Sequence, residues 1–326
     1  MSATGLLPMT HPFAQGSEVM TLSTIAAGSA SVPVSKLGQN AALAKEVQAR
    51  LAALGCLDPP ADGQFGSTSK LTLARYAKLR GFAFKELLTP QIAKGLLNDK
   101  ADTILPLRLG NDFASRMVRY MQAQAKPFFV ARLPGFLNIV YVEGADKSGR
   151  HNADTFNVFN DRRTVFHFDK TGKPVMDLNV LCTTEPGRFF TDTPLNPDGA
   201  ARIAFGQYKS WTIGTHHPES QPPRKHKALV QADKIHIFRD KNKDGIRPGD
   251  KEFIVGSGAG INQHSGLNQS PSNIGRLSAG CLVGQNDAEH KKFMKLLEGD
   301  PRFIANHGYK FMTTVIAGDD LDRKVP

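Results

Sequence analysis

The chain has little cysteine, almost no tryptophan and no long apolar run. Its 326 residues include three cysteines, Cys56, Cys182 and Cys281. Three is too few for a disulfide framework, and the odd count leaves at least one thiol free. No Cys-x-x-Cys pair is present to suggest zinc. No apolar stretch is long enough to span a bilayer. Lys and Arg are missing before Lys36, so the chain lacks the positive start of a secretory signal. Residues 1–35 carry one charged side chain, Glu18, and are expected to form a flexible or docking arm.

Charge is plentiful, with 41 basic and 30 acidic residues and a net of +11. It is spread along the chain instead of gathered in one patch, which argues against nucleic acid as a partner. Diffuse positive charge suits weak attraction to a polyanionic surface. The length permits two domains with separate cores.

From Asn40 the pattern becomes helical: Leu43, Val47, Leu51 and Leu54 mark one face, and Gly55 ends it. A turn-rich link, Asp58 to Gly66, leads to a second helix with Thr68 as its cap and Leu71 and Ala74 on its face. Pro90 opens a third, ending near Leu97. Residues 40–98, with Leu54-Gly55 and then Asp62-Gly63-Gln64-Phe65-Gly66, resemble the three-helix peptidoglycan-binding module. That resemblance implies glycan or stem-peptide contacts from the Asp62, Gly63 and Phe65 loop.

Residues 111–124 read as another helix, and beyond it the apolar period shifts to two. Strands are expected at Leu137–Val142, Thr164–Phe168, Val175–Cys182, Gln207–Gly214, Lys234–Phe238 and Tyr309–Ile316, with a hairpin turn at Asp169–Gly172. Asn286, with Glu289 three residues on, reads as the cap of a helix carrying Phe293, Met294 and Leu297.

The chemistry concentrates late in the chain. Thirteen residues separate His264 from Ser278-Ala279-Gly280-Cys281. A thiol serves acyl transfer when a base takes its proton, and His264 is the candidate base. Ser265 would orient the imidazole through its hydroxyl or its carbonyl. A turn at Gly280 would aim the N–H groups of Ala279, Gly280 and Cys281 at one point, as an oxyanion hole requires. Ile261–Gly266, the polar loop and Ser-Ala-Gly-Cys-Leu together resemble the signature of the L,D-transpeptidase catalytic domain. Two positions depart from its pattern: Ala279, often histidine there, and Val283, often polar or basic.

The fold class expected is therefore α+β: an arm (1–35), a three-helix bundle (36–100), a helical connector (101–135) and a mostly-β L,D-transpeptidase-like domain (136–326). The resemblance implies a peptidoglycan-acting cysteine acyltransferase of the cell envelope, needing no metal or cofactor. Ser278, Arg276, His216 and His217 are the candidate substrate contacts. The rival is a non-catalytic peptidoglycan anchor of a phage, injection or envelope assembly, joined through the arm. Two other clusters bear on ligands. Asp240–Gly245 copies the first half of a calcium loop, but Lys251 stands where the bidentate Glu belongs, leaving a plain polar turn as the other reading. His216, His217, His226, His236 and His264 match no helix-borne zinc motif.

Overall fold

A computed structural model describes residues 20–326. Most of the expected arm, residues 1–19, lies outside the described residues. From Leu22 onward the chain is packed. Helix α1 (Leu22–Ala27) begins at Thr21, whose hydroxyl accepts the Thr24 amide. It buries Leu22 and Ile25 in one core with Val34 and Leu37. Those two belong to α2 (Val34–Leu37), which follows the short strand β1 (Val32–Pro33). This short apolar i, i+3 pairing is too brief to show as an amphipathic period.

The helical module continues with α3 (Ala41–Ala53), α4 (Ser67–Leu79), β2 (Leu87–Leu88) and α5 (Pro90–Asn98), with β1 paired antiparallel to β2. Asn40 caps α3 by accepting the Leu43 amide at 3.1 Å. Gly55, just past its end, has φ +71°, and a side chain there would strike Arg132. Thr68 is not the cap of α4: Gly66 holds that position, and Thr68 lies inside the first turn. The buried face is Leu73, Tyr76 and Ala77, with Leu71 partly buried against the same core and Ala74 half-buried; Tyr76 donates to Asp99 at 2.7 Å. Thr89 and Pro90 start α5, the Thr89 hydroxyl accepting the Ile92 amide.

The 101–135 stretch contains α6 (Ala101–Ile104) and α7 (Phe113–Gln122). Helix α7 is part of the second body. Its Met117, Val118 and Met121 cluster with Val140, Val142 and Phe166.

That body is built on β3 (Asn138–Glu143), β4 (Asp161–Phe168), β5 (Pro174–Thr183), α8 (Arg188–Asp192), β6 (Ala200–Ile203), β7 (Gly206–His216) and β8 (His226–Gln231). It continues with β9 (Ile235–Asp240), β10 (Lys251–Val255), β11 (Gln263–Ser265), β12 (Leu282–Gly284), α9 (Asp287–Glu298), α10 (Pro301–Ala305), β13 (Phe311–Ala317) and α11 (Gly318–Lys324). Eight strands close into a barrel in the order β11-β12-β5-β4-β3-β13-β7-β8, and β10-β9-β6 form a separate small sheet. Successive residues of β3 face opposite ways: Ile139 and Tyr141 join the barrel interior, Val140 and Val142 the α7 layer. The β4–β5 turn is held by Asp169, which accepts from the Thr171 and Lys173 amides. Asn286 caps α9 as the sequence predicts, accepting the Glu289 amide, and Phe293, Met294 and Leu297 pack into the barrel core.

The two bodies meet at Asp58. This carboxylate is 1 % exposed. It pairs with Lys209 at 2.7 Å and Arg302 at 3.5 Å and accepts from the Tyr309 hydroxyl at 3.1 Å, all three partners belonging to the barrel body. Removing one member of a buried ionic group leaves the others uncompensated, at about 3–5 kcal/mol. Asp58→Ala should therefore lower the thermal midpoint, while Lys70→Ala, which breaks an exposed pair with Glu86, should change it little. Equal midpoints for the two variants in a denaturation series would contradict the Asp58 clamp.

Candidate active site

Strands β11 and β12 are three residues long and run parallel, with Gln263 opposite Leu282, His264 opposite Val283 and Ser265 opposite Gly284. Continuing that register puts Cys281 opposite Asn262. The Leu282 amide donates to the Asn262 carbonyl at 2.9 Å. Leu282 points into the barrel interior, whereas Val283 lies in an outer cluster with Phe159 and Ile274, against which Cys281 packs. Cys281 and His264 are therefore diagonal neighbours on one outer face. Strand spacing and rise put their backbones about 8 Å apart, a gap that a thiol and an imidazole leaning together can bridge.

Each partner is oriented by the backbone. The Asn262 amide donates to Cys281 Sγ at 3.4 Å, and the thiol faces the Gly260 carbonyl at the same distance. His264 Nδ1 donates to the Ser265 carbonyl at 2.9 Å, which leaves Nε2 as the unprotonated nitrogen. The Ser265 hydroxyl goes elsewhere, to Asp287 at 3.1 Å. Of the two ways for Ser265 to orient the histidine, the structure uses the carbonyl.

Gly280 has φ +127°, and a Cβ there would stand 2.6 Å from the Ala201 carbonyl oxygen, so glycine is required by both conformation and space. Its N–H donates to Ser278 Oγ at 3.1 Å, and Ser278 in turn donates to the Cys281 carbonyl at 2.8 Å. Two expectations are corrected by this. The Gly280 amide is occupied and does not point at a shared oxyanion position. Ser278 is fully buried and ties the loop together instead of facing a substrate. The N–H groups of Ala279 and Cys281 carry no such bond among the described residues and remain the candidate donors.

His216 lies flat against His264, ring centroids 3.9 Å apart and planes at 11°. Its Nδ1 accepts from the Asn262 side chain at 3.1 Å. His217 packs on His216 at 4.0 Å and bonds Glu219. Arg276 is exposed and stacks over the Phe189 ring at 3.6 Å. His226 accepts the Ser265 amide at 3.1 Å, and His290 lies 5.6 Å from His226. Beneath them the Arg163 guanidinium donates to the carbonyls of His264 and Leu282 and bonds His290 Nδ1, each at 3.1 Å. Asn262, Gly260, Arg163, His290 and Asp287 are site components that sequence reading gave no role. Only the parallel register discloses the first two.

Burial pushes the Cys281 thiol up to about 11, partly offset by the Asn262 amide. Burial, and then His216, hold His264 well below its ordinary value against the pull of the Ser265 carbonyl. At neutral pH the pair is thus neutral thiol and neutral imidazole. Cys56 and Cys182 are fully buried, their thiols raised further still.

The other expected sites are organised inward. Asp62 Oδ1 accepts from the Gln48 side chain and the Gln64 amide, the Gly63 amide donates to Gln48, and Phe65 packs on the helical core. Asp240 accepts the Asp244 and Gly245 amides, a polar turn held by its own backbone. Among the described residues no group of three or more His, Cys, Asp or Glu is placed to hold a metal ion. His236 stands apart, bonded to Glu252. No described helix is long and apolar enough to cross a membrane.

No protein-family model matches the chain, and no curated protein matches it. Among solved structures it is similar to a fused Zn-dependent amidase/peptidase/peptidoglycan-binding domain-containing protein from Clostridium acetobutylicum. The identity is 14%, over 83% of this chain and 94% of that one, with a TM-score of 0.28. A likeness at that score carries no argument about fold or activity.

Alkylation tests the resting state. In the native protein iodoacetamide should label Cys281 alone, because Cys56 and Cys182 are enclosed. Its rate should climb about tenfold per pH unit between pH 7 and 10, following the thiolate fraction. A plateau below pH 7 would mean a preformed thiolate–imidazolium pair and would refute the neutral one.

Proposed function

We propose that the protein is a cysteine acyltransferase acting on peptidoglycan stem peptides in the cell envelope, as an L,D-transpeptidase or L,D-carboxypeptidase. The observation carrying this reading is the diagonal Cys281–His264 pair, with the imidazole oriented by the Ser265 carbonyl so that Nε2 is the base. His264 Nε2 takes the thiol proton as Sγ bonds to the carbonyl carbon of an L-centre-to-D-residue amide. The tetrahedral oxyanion is met by the free N–H groups of Cys281 and Ala279. Collapse breaks the C–N bond, and the proton held on His264 passes to the leaving amine. The resulting thioester goes to an amine acceptor in transpeptidation or to water in carboxypeptidation. The burial that depresses the basicity of His264 makes its imidazolium a strong acid toward the leaving amine.

The helical module is the proposed wall-binding part, and the net charge of +11 favours an anionic envelope. Its Asp62 is exposed at the loop tip, beside a polar groove of about 450 Å³ shared with Lys209, Asn306 and Lys310 of the barrel body.

Incubation with purified muropeptides, read by product mass, tests the chemistry. Cys281→Ala should abolish conversion while leaving co-sedimentation with insoluble peptidoglycan intact. His264→Ala should lower turnover about 10²–10⁴-fold by loss of the base. Ser265→Ala should stay within about tenfold of the parent, since the carbonyl that orients His264 remains. A wild-type protein that binds peptidoglycan, converts nothing with either acceptor and behaves like Cys281→Ala would be an anchor and not an enzyme.

A further inference from the structure

A cavity of about 610 Å³ opens where the ends of β3 and β13 and the small sheet meet the Asp244–Asp250 loop. Its size falls within the range of small-molecule sites. Its lining carries two arginines, Arg202 and Arg247, and six carboxylates, Glu143, Asp154, Glu185, Asp244, Asp250 and Asp319, none of which the chemistry at Cys281 uses. The cavity is separate from the thiol: Ala201 of β6 packs against Gly280, and the next residue, Arg202, points to the opposite face of the strand.

Some of these charges satisfy each other. Arg247 grips Glu143 through both terminal nitrogens, and Arg202 Nη1 donates to Glu185. Others are left over on both sides. Arg202 is 1 % exposed, yet its Nε and Nη2 have no hydrogen-bond partner among the described residues. The Asp240 carboxylate stands 3.8 Å from Nε, beyond hydrogen-bond reach. Asp154 Oδ1 and Asp250 Oδ2 are likewise enclosed and unpartnered. Burial first, and then neighbouring acids, push the carboxyls of Asp154 and Asp250 up to about 6 and that of Glu185 to about 7. Buried polar groups are ordinarily paired, so unmet donors and acceptors enclosed in the wall of one cavity point to a missing partner.

The two signs of unmet group restrict its chemistry. A metal ion would answer the carboxylates and leave Arg202 bare, and the acids do not converge on metal geometry. An inorganic anion would answer Arg202 and be repelled by the acids. We propose that this cavity binds an α-amino-acid zwitterion, its carboxylate on Arg202 Nε and Nη2 and its ammonium on Asp154 and Asp250. The Phe156 and Phe205 rings, which Arg202 and Arg247 face at 5.6 and 4.3 Å, supply the walls for a side chain. The same zwitterion occurs in a free amino acid and at the free end of a diamino acid within a peptide. This site goes beyond the acyl-transfer reading and does not depend on it.

Titration calorimetry on the full-length protein, repeated with Cys281→Ala to exclude turnover, tests the proposal. The probes are alanine, lysine, diaminopimelate, a peptide carrying the free zwitterionic end of diaminopimelate, N-acetylalanine and alaninamide. Binding should need both charges, so acetylation or amidation should weaken it at least tenfold. Asp154→Asn should do the same with the fold intact, because that side chain makes no hydrogen bond whose loss would unfold the loop. Tight binding of alanine would identify the free amino acid as the ligand, and binding confined to diaminopimelate and its peptide would identify the peptide end. No heat with any probe, N-acetylalanine binding as well as alanine, or calcium chloride binding where no amino acid does would each overturn the assignment. A wild-type protein that binds amino acids and converts no muropeptide would sink the acyl-transfer reading alone.

Discussion

The guanidinium of Arg163 is the interaction on which the rest of the site depends. It is fully buried between the Tyr141 and Phe293 rings, 5.3 and 4.6 Å from their centroids. Its donors reach one carbonyl on each of the two strands that carry His264 and Cys281. Strands of three residues make few ladder bonds of their own, and parallel pairing is the weaker kind. A bridging cation between their carbonyls supplies what the ladder lacks. The same group dictates the last residue of β12: a Cβ at Gly284 would lie 2.6 Å from Arg163 Nη1. Register, and with it the diagonal placement of thiol and imidazole, follows from this one buried side chain.

Arg163 also shapes the electrostatics. Burial and then the Arg163 charge push His290 down to about 3, while burial and the neighbouring His217 and His226 do the same for His216. His216, His226 and His290 in turn each disfavour a proton on His264. A permanent cation with several imidazoles packed around it is a place where any further positive charge is costly. The effect is to keep Nε2 of His264 free. The price appears at the thiol, which gains no imidazolium partner and stays protonated at rest.

Elements were legible in the sequence where one side of the chain faces a single core over several residues. Helix α3 and the β4–β5 hairpin are of this kind, each with a long period and a turn signal. Strands β11 and β12 show no period because three residues are too few and both faces are covered, Gln263 and Leu282 inward, His264 and Val283 outward. The Cys-His spacing was visible, but not that the intervening loop returns as a parallel neighbour. Arg163 falls just before the strand expected at Thr164–Phe168, which the structure starts at Asp161, and nothing in its local pattern marks an inward-facing cation. The Ser278 and Gly280 expectations erred for the opposite reason. Their residue types suit a site, and the structure spends them on holding the turn.

The two departures from the transpeptidase pattern have different weights. Val283 is fully buried against Phe159 and Ile274, so its side chain builds the wall that carries the loop before Cys281. A polar residue there would lose that packing and be desolvated in an apolar cluster. The apolar residue and the wall are thus one arrangement. Ala279 sits between two residues that already determine the turn, Ser278 through its hydroxyl and Gly280 through its backbone. The shape of the loop makes no demand on the side chain at 279. On the other side of the thiol, His216 lies against His264 and accepts a hydrogen bond from the Asn262 side chain, so an imidazole borders His264 from β7 instead of from the cysteine loop. Neither residue disturbs the Cys281 thiol, the His264 imidazole or the Ser265 carbonyl that orients it.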